Sequence, residues 1–220
     1  MAKKKKITKE QLIDYYMDAV AKLQGKPASV VDFASEYNFD AALFYRHFES
    51  FKEIDKAIFK IFIDISIATL AESTDFASFS KKDKLLSLYY TLFENFTLNR
   101  EFTLLTIKSY GISLDALSLF TDLKESFTSF IDSLQLETLS LNNDTLETIQ
   151  KKSLKEAAWV QLLLTIKFWM EDESEHCEKT DIFIEKSINT SIELLNTKSL
   201  NNIVDLGKFL YSAKFKSKDH

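Results

Sequence analysis

The stretch FDAALFYRHFES, residues 39–50, carries aromatic side chains and both signs of charge within one short segment. Phe44 and Phe48 are four residues apart, which places them on the same face of a helix. Asp40 precedes this pattern, and an aspartate there typically caps a helix by accepting a hydrogen bond from a backbone N–H. The stretch therefore predicts a short helix that begins after Asp40 and ends at about Glu49.

The chain before this stretch predicts a first helix with defined ends. Thr8 is a suitable N-cap, and Gln11 three residues later completes a capping box. Apolar residues then recur at helical spacing up to the segment QGKP, where Pro27 cannot continue a helix. We expect Gly25 to adopt the left-handed conformation that ends this helix.

The elements on either side of residues 39–50 complete a helix-turn-helix pattern. Ser29 is expected to cap a short helix, and Asn38 to form the tight turn, because asparagine tolerates left-handed backbone better than most residues. Ser50 is a suitable cap for a longer helix whose apolar spacing continues to Leu70. Residues 1–72 are therefore predicted to form a helix-turn-helix head with a connecting helix.

Composition predicts an all-α fold for the whole chain. The 220 residues include only 3 glycines and 1 proline, whereas hairpins need glycine at their tight turns. Beyond a separator at residues 72–83, helical periodicity continues, and we predict a second helical domain over residues 73–220. Its predicted helical stretches are 82–97, 100–111, 114–135, 144–171, 179–196 and 199–215.

The sequence also indicates where the protein works. Cys177 is the only cysteine, so no internal disulfide forms, which suits a reducing cytoplasm. No window reaches about 18 consecutive apolar residues, so no membrane-spanning helix is expected. The N-terminal lysine run is not followed by the apolar segment of a secretory signal. We expect a cytoplasmic protein.

Short motifs in the first 60 residues match a known pattern: Phe33-Ala34, the turn at 38–40, ALFYRHF at 42–48, and Ser50 with Ile54. On these residues the chain resembles the TetR family of one-component bacterial regulators. The resemblance implies a TetR-like fold whose head binds a double-stranded DNA operator. It further implies a C-terminal domain that forms a homodimer and binds a small-molecule effector.

Residue types on the head then give a candidate DNA interface. Small side chains permit close approach to base edges, an arginine reads or clamps, and a basic N-terminal arm adds contacts to the DNA backbone. The candidate DNA-binding residues are Lys3, Lys4, Lys5, Lys6, Ser29, Asp40, Ala41, Ala42, Tyr45, Arg46, His47 and Lys52. The alternative is that Phe44 and Phe48 are core, that Tyr45 covers an interface, and that the other residues are solvated surface.

Several residues of the head depart from the family pattern. Asn38 and Ala42 stand in place of glycines, and Phe51 replaces a lysine that usually begins the long helix. Residues 7–56 carry six positive and nine negative side chains, a net charge of −3. Since DNA affinity comes largely from neutralising phosphates, these departures weaken the expectation of DNA binding.

A second motif lies near the C-terminus, FWMEDESEHCEKTDIFIEKSI, residues 168–188. It resembles the signature of the ubiquinone-biosynthesis accessory proteins, which share the TetR fold and bind lipid. The matching positions are Phe168, Trp169, Asp172, Ser174, Thr180, Phe183, Ile184 and Lys186, with Glu185 in place of aspartate. This resemblance implies an alternative function as a lipid carrier or chaperone that uses the basic amphipathic stretch 199–215 at a membrane.

Aromatic residues are concentrated between residues 85 and 130. They form either ordinary core or an apolar cavity for a lipophilic ligand such as a fatty acid or quinone. The candidate ligand-binding residues are Tyr89, Tyr90, Phe93, Phe96, Tyr110, Phe120, Phe127, Trp159 and Leu163.

Two stripes of apolar residues recur at spacings of three or four along 144–171 and 179–196. The resemblance implies that such a helix pair forms a homodimer interface, and packing within the chain is the alternative. The candidate dimer residues are Trp159, Leu162, Ile166, Trp169, Ile184, Ile188, Ile192 and Leu195.

Catalytic and metal-binding patterns are not found in the sequence, so we expect no enzyme, metal site or cofactor. His176 and Cys177 are adjacent and would point about 100° apart on a helix, which disfavours a shared ion. The resemblance to the TetR family implies the favoured function, a homodimeric transcriptional regulator that acts as a repressor controlled by a lipophilic small molecule. A membrane surface is the less favoured partner.

Overall fold

The computed structural model describes residues 6–111, 114–136 and 144–196, and these residues are helical with short connections and contain no strand. The all-α prediction is confirmed. The helices are α1 (Lys9–Leu23), α2 (Val30–Glu36), α3 (Ala41–Tyr45), α4 (Phe51–Glu72), α5 (Lys81–Leu98), α6 (Arg100–Tyr110), α7 (Leu114–Leu119), α8 (Thr121–Ser133), α9 (Asp144–Glu171) and α10 (Glu178–Asn196). Short 3-10 helices occupy Phe76–Ser78 and Glu175–Cys177. None of the described helices is long and apolar enough to cross a membrane.

The described chain divides into two compact units. One consists of the residues up to Thr74 together with Tyr90–Ser129, and the other of Asp75–Tyr89 together with the residues from Phe130 onward. The first unit contains all of α1 to α4, α6 and α7, and the second contains α9 and α10. The functional division into a head at 1–72 and a domain at 73–220 stays a prediction.

Most of the predicted helix caps are confirmed. The Gln11 N–H donates to Thr8 Oγ1 (3.2 Å) and the Thr8 N–H donates to Gln11 Oε1 (3.1 Å), which is the predicted capping box. Gly25, however, does not form the left-handed cap, and that prediction was wrong by one residue. Gln24 has φ 53° instead, and its side-chain amide donates to Ala21 O (2.8 Å) and to Glu101 Oε1 (2.6 Å). These two hydrogen bonds hold Gln24 in the strained conformation.

Helices α2 and α3 begin as predicted. The Asp32 N–H donates to Ser29 Oγ, and the Ala42 N–H donates to Asp40 Oδ1. Asn38 has φ 55° and makes the turn between them. Helix α3 ends at Tyr45, earlier than predicted. Ser50 precedes α4 with extended backbone, but its side chain makes no capping hydrogen bond, so the predicted side-chain cap at Ser50 was wrong.

The stretch predicted as one helix over 114–135 is two helices, α7 and α8, separated at Phe120. Phe120 is buried, and its ring meets that of Phe59 edge-on at 5.1 Å. The break thus turns an aromatic side chain onto α4, a long-range contact that periodicity does not reveal. The predicted stretch 199–215 lies outside the described residues.

Candidate nucleic-acid interface

Helix α3 is held in the first unit by one fully buried side chain, that of Phe44. Its ring packs edge-on against Phe51 (5.5 Å) and Phe33 (6.4 Å). Phe51 also stacks on Tyr16 at 5.3 Å. Phe51 is therefore a structural part of the aromatic core of the first unit.

The opposite face of α3 and the residues after it are exposed. Ala42, Tyr45, Arg46 and His47 are all exposed, and Tyr45 retains 59% of its accessible surface. Ala41 is half-buried. The structure thus brings the α3 members of the predicted DNA set onto one outward surface, which we call the reading surface.

The remaining predicted DNA-binding residues either cap helices or lie outside α3 and the residues that follow it. The side chains of Ser29 and Asp40 are engaged in capping α2 and α3. Ser29 Oγ also donates to Asp32 Oδ2 at 2.7 Å. Lys52 is half-buried and Lys6 is exposed, and Lys3, Lys4 and Lys5 lie outside the described residues.

Acidic residues of the first unit form ion pairs with several of its lysines. Lys22 pairs with Asp18 (2.6 Å) and Lys56 with Glu53 (3.1 Å). Lys26 pairs with the fully buried Asp55. Since these lysines already have counter-ions, they contribute little to neutralising phosphate, and Arg46 is the cation on the reading surface.

Asp55 is the centre of a buried polar cluster that joins α1, α4 and α6. Its carboxylate accepts hydrogen bonds from the hydroxyls of Tyr16 (2.9 Å) and Tyr110 (2.8 Å), and the Lys26 ammonium lies 2.7 Å away. Lys26 also lies over the Tyr110 ring, 4.1 Å from its centroid. Burial raises the pKa of Asp55, and the pair with Lys26 and the two tyrosine hydroxyls oppose that rise. Tyr110, a predicted ligand residue, is therefore part of this cluster.

Most of the remaining predicted ligand residues are in the aromatic core. In the first unit Phe93, Phe96, Phe120 and Phe127 are buried, and in the second unit Tyr89 and Trp159 are buried. In the first unit, the Phe96 ring contacts Phe59 (5.9 Å), Phe62 (5.7 Å) and Phe93 (5.5 Å). The core interpretation accounts for these contacts. Tyr90 is exposed and Leu163 half-buried, and a ligand role for the set stays a prediction.

The predicted dimer stripes are mostly buried within the chain. The side chains that are buried are those of Trp159, Leu162, Ile166, Trp169, Ile184 and Ile188, whereas Ile192 and Leu195 are half-buried. Packing between α9 and α10, the alternative interpretation, accounts for the buried residues. The dimer assignment itself stays a prediction.

A different apolar stripe of α9 faces outward. Val160, Leu164 and Phe168 are exposed and follow one another at intervals of four residues, so they share a face of the helix. The Phe168 ring stacks on Phe183 of α10 at 4.7 Å. We call Val160, Leu164 and Phe168 the outer stripe.

The family model described as "Tetracyclin repressor-like, C-terminal domain" matches residues 84–210, more than half of the chain. The chain belongs to the tetracycline-repressor-like family. No curated protein matches the chain significantly. Membership in the tetracycline-repressor-like family does not distinguish a regulator from a ubiquinone-biosynthesis accessory protein.

The second sequence motif of this tetracycline-repressor-like chain has a structural explanation. Asp172 Oδ1 accepts hydrogen bonds from the Ser174 N–H (2.9 Å) and hydroxyl (2.6 Å). Asp172 Oδ2 accepts from the Thr180 N–H (2.8 Å) and hydroxyl (2.7 Å), so the carboxylate caps α10. Burial raises the pKa of Asp172, but these hydrogen bonds outweigh it and lower the pKa to about 2. The motif residues Asp172, Ser174 and Thr180 therefore stabilise the start of α10, and their hydrogen bonds do not require a lipid.

The connector next to this cap contains His176 and Cys177, which have φ values of 50° and 61°. In this connector Glu175 and His176 are exposed, whereas Cys177 is buried. Among the residues that the structure describes, no group of three His, Cys, Asp or Glu side chains is placed to hold a metal ion.

Sequence reasoning missed a cleft of about 460 Å³ in the second unit of this tetracycline-repressor-like chain. It lies between the segment before α5 and the end of α8, and we call it the α5–α8 cleft. The side chains that define it include Phe76, Phe79, Lys81, Lys84, Phe130 and Leu134. The signal was present in FASFSKKDK, residues 76–84, where two phenylalanines are followed by three lysines, but most of that segment was interpreted as a separator.

Proposed function

We propose that the protein is a DNA-binding transcriptional regulator, a cytoplasmic repressor that acts as a homodimer. The observation that carries this proposal is the reading surface of α3. Phe44 and the Asp40 cap fix the helix from one side, while Tyr45, Arg46 and His47 face outward. A helix held in this way presents its side chains to the major groove without losing its own support.

Each residue of the reading surface suits a particular contact with DNA. The methyl side chain of Ala42 permits close approach to base edges. Arg46 forms no ion pair within the described part of the chain, so its guanidinium is available to a phosphate or a guanine edge. Tyr45 and His47 are suited to phosphate contacts, which position the helix without reading sequence.

The acidity of the head makes the basic arm important. Since Lys26 and Asp55 neutralise each other inside the unit, the remaining side chains of residues 7–56 comprise five positive and eight negative charges. Lys3, Lys4, Lys5 and Lys6 would supply the missing positive charge to the DNA backbone. We therefore expect binding that depends on the arm and weakens steeply as salt concentration rises.

Control by a lipophilic effector requires that ligand and operator prefer different conformations. The Asp55 cluster supports such coupling, because Tyr110 belongs to α6 while Tyr16 and Lys26 belong to the head. A shift of α6 would pull Tyr110 away from Asp55 and change the support of α1. An effector that favours the shifted state would lower the affinity for the operator.

The proposed function is tested by titrating the purified protein against a labelled duplex from upstream of its own gene, with random duplex as competitor. We expect sequence-dependent binding that Arg46→Ala weakens, because the variant removes the cation of the reading surface. Lys22→Ala is the matched control, since Lys22 pairs with Asp18 away from α3. Deleting residues 3–6 should weaken binding to both duplexes and reduce the salt dependence.

Equal and weak binding to both duplexes, together with an empty selection from genomic fragments, would contradict a regulatory function. That result would favour the second candidate function, a lipid carrier or chaperone. The specific observation behind this second candidate is the acidic head, whose charge repels phosphate. Binding of a lipophile with no effect on DNA would then be the expected behaviour.

A further inference from the structure

We propose that the α5–α8 cleft binds an amphiphile with one hydrocarbon chain and one negative headgroup, of the fatty-acid class. The binding itself is argued from the cleft alone, and only the assignment of this amphiphile as the effector rests on the proposed function. The cleft volume of about 460 Å³ is within the range of roughly 300–1,000 Å³ that is typical of ligand pockets.

The walls of the cleft are suited to a hydrocarbon chain. The rings of Phe76 and Phe79 meet edge-on at 5.9 Å, and Phe130 and Leu134 form a buried apolar surface at the end of α8. Phe79 retains 39% of its accessible surface although it is a large apolar residue. A bound chain would remove part of this apolar surface from water, which favours binding by about 25 cal/mol per Å².

The two lysines of the cleft are suited to a negative headgroup. The Lys84 ammonium donates to Ala77 O (3.1 Å) and lies 5.7 Å from the Phe76 ring centroid, while the Lys81 ammonium donates to Gln135 O. An ammonium carries three N–H donors, so each lysine is positioned by a backbone carbonyl and retains donors for a ligand. No carboxylate is found among the described residues that line the cleft.

A neighbouring cleft, which shares Gln135 with the α5–α8 cleft, shows why the charge of the lining matters. This second cleft has a similar volume of about 470 Å³ and is lined by Lys151 and Lys155. There Asp132 is part of the lining and pairs with Lys155 at 2.8 Å. In the second cleft Asp132 supplies the negative charge that pairs with a lysine, whereas in the α5–α8 cleft a bound ligand would supply it.

The test is calorimetric titration of the full-length protein with three ten-carbon probes: decanoate, decanol and decyltrimethylammonium. We expect decanoate to bind about tenfold more tightly than decanol, and decyltrimethylammonium to bind least, because only the carboxylate pairs with both ammonium groups. The double variant Lys81→Met/Lys84→Met should remove the preference for decanoate over decanol. Lys82→Met is the matched control, since Lys82 lies on the same turn but does not line the cleft.

A second variant tests the apolar wall of the cleft without changing either lysine. Phe79→Ser removes an apolar side chain that is 39% exposed in the cleft, and it should weaken the binding of decanoate and of decanol alike. Circular dichroism melting curves would establish that each variant is folded. The proposal is overturned if decanoate does not bind, if decanol binds as tightly, or if Lys82→Met has the same effect as the double variant.

Vesicles of phosphatidylglycerol and phosphatidylcholine distinguish binding of a free amphiphile from binding to the negative headgroups of a membrane surface. Flotation of the wild type with these vesicles, without binding of free decanoate, would overturn the proposal in favour of a membrane surface. The DNA titration separates the two proposals. Decanoate binding without operator binding contradicts only the regulatory function, and operator binding without decanoate binding contradicts only the cleft.

Discussion

The ammonium of Lys26 lies 2.7 Å from the carboxylate of Asp55, an aspartate that is fully buried. Lys26 belongs to the turn between α1 and α2, and Asp55 belongs to the first turns of α4. The ion pair therefore fixes the turn between α1 and α2 to the long helix α4. Tyr16 and Tyr110 complete the coordination of the carboxylate by hydrogen bonds.

Replacing Lys26 by methionine should lower the free energy of unfolding by about 2–3 kcal/mol at neutral pH, because a buried carboxylate would lose its counter-ion. The measurement is urea unfolding followed by circular dichroism. Lys22→Met is the control, since Lys22 forms an exposed pair with Asp18 that is worth at most about 0.5 kcal/mol. If Lys26→Met and Lys22→Met lowered the free energy of unfolding equally, the burial of Asp55 would not increase the stabilisation by its ion pair.

The same variant gives a pH dependence of known sign. Burial already raises the pKa of Asp55, and losing Lys26 would raise it further. A raised folded-state pKa favours folding below the unfolded value, and that contribution is lost as pH rises through the folded value. The destabilisation by Lys26→Met should therefore be smaller at pH 5 than at pH 7.

Asp172 should behave in the opposite way. Its pKa is lowered to about 2, so its contribution is present above the unfolded value near 4 and is lost as pH falls between these two values. Replacement by asparagine should cost about 2 kcal/mol at pH 7 and flatten the acid limb of the stability curve. Glu173→Gln, which changes an exposed side chain of the same connector, should leave that limb unchanged.

Local chemistry explains which features the sequence predicts. The caps at Thr8, Ser29 and Asp40 depend on residues two or three positions away, so the sequence alone identifies them. In the Asp55 cluster, Tyr16 is 39 positions and Tyr110 is 55 positions away from Asp55 along the chain. The α5–α8 cleft joins segments that are more than 40 residues apart. Spacing patterns carry no information on which distant segments meet, so these features required the structure.

The turn before α3 gives a prediction about backbone conformation. Asn38 has φ 55°, a region that costs β-branched residues more than asparagine and costs glycine nothing. Asn38→Val should therefore lower the free energy of unfolding by about 1–2 kcal/mol, whereas Asn38→Gly should be nearly neutral. Urea unfolding measures both. Glu36→Val, at an exposed position of α2 with ordinary helical backbone, should change stability by less than about 0.5 kcal/mol.

The outer stripe gives a prediction about assembly, which rests on the proposed homodimer. If Val160, Leu164 and Phe168 meet the same residues of a second copy, Leu164→Glu should place two carboxylates in an apolar contact and convert the dimer to a monomer. Light scattering coupled to gel filtration measures the mass directly. Leu98→Glu is the control, because Leu98 is equally apolar and exposed on α5. Leu162→Ala should instead lower the stability of the chain by about 2–5 kcal/mol, since Leu162 is buried within it. A Leu164→Glu variant that keeps the dimer mass would exclude this stripe from the interface.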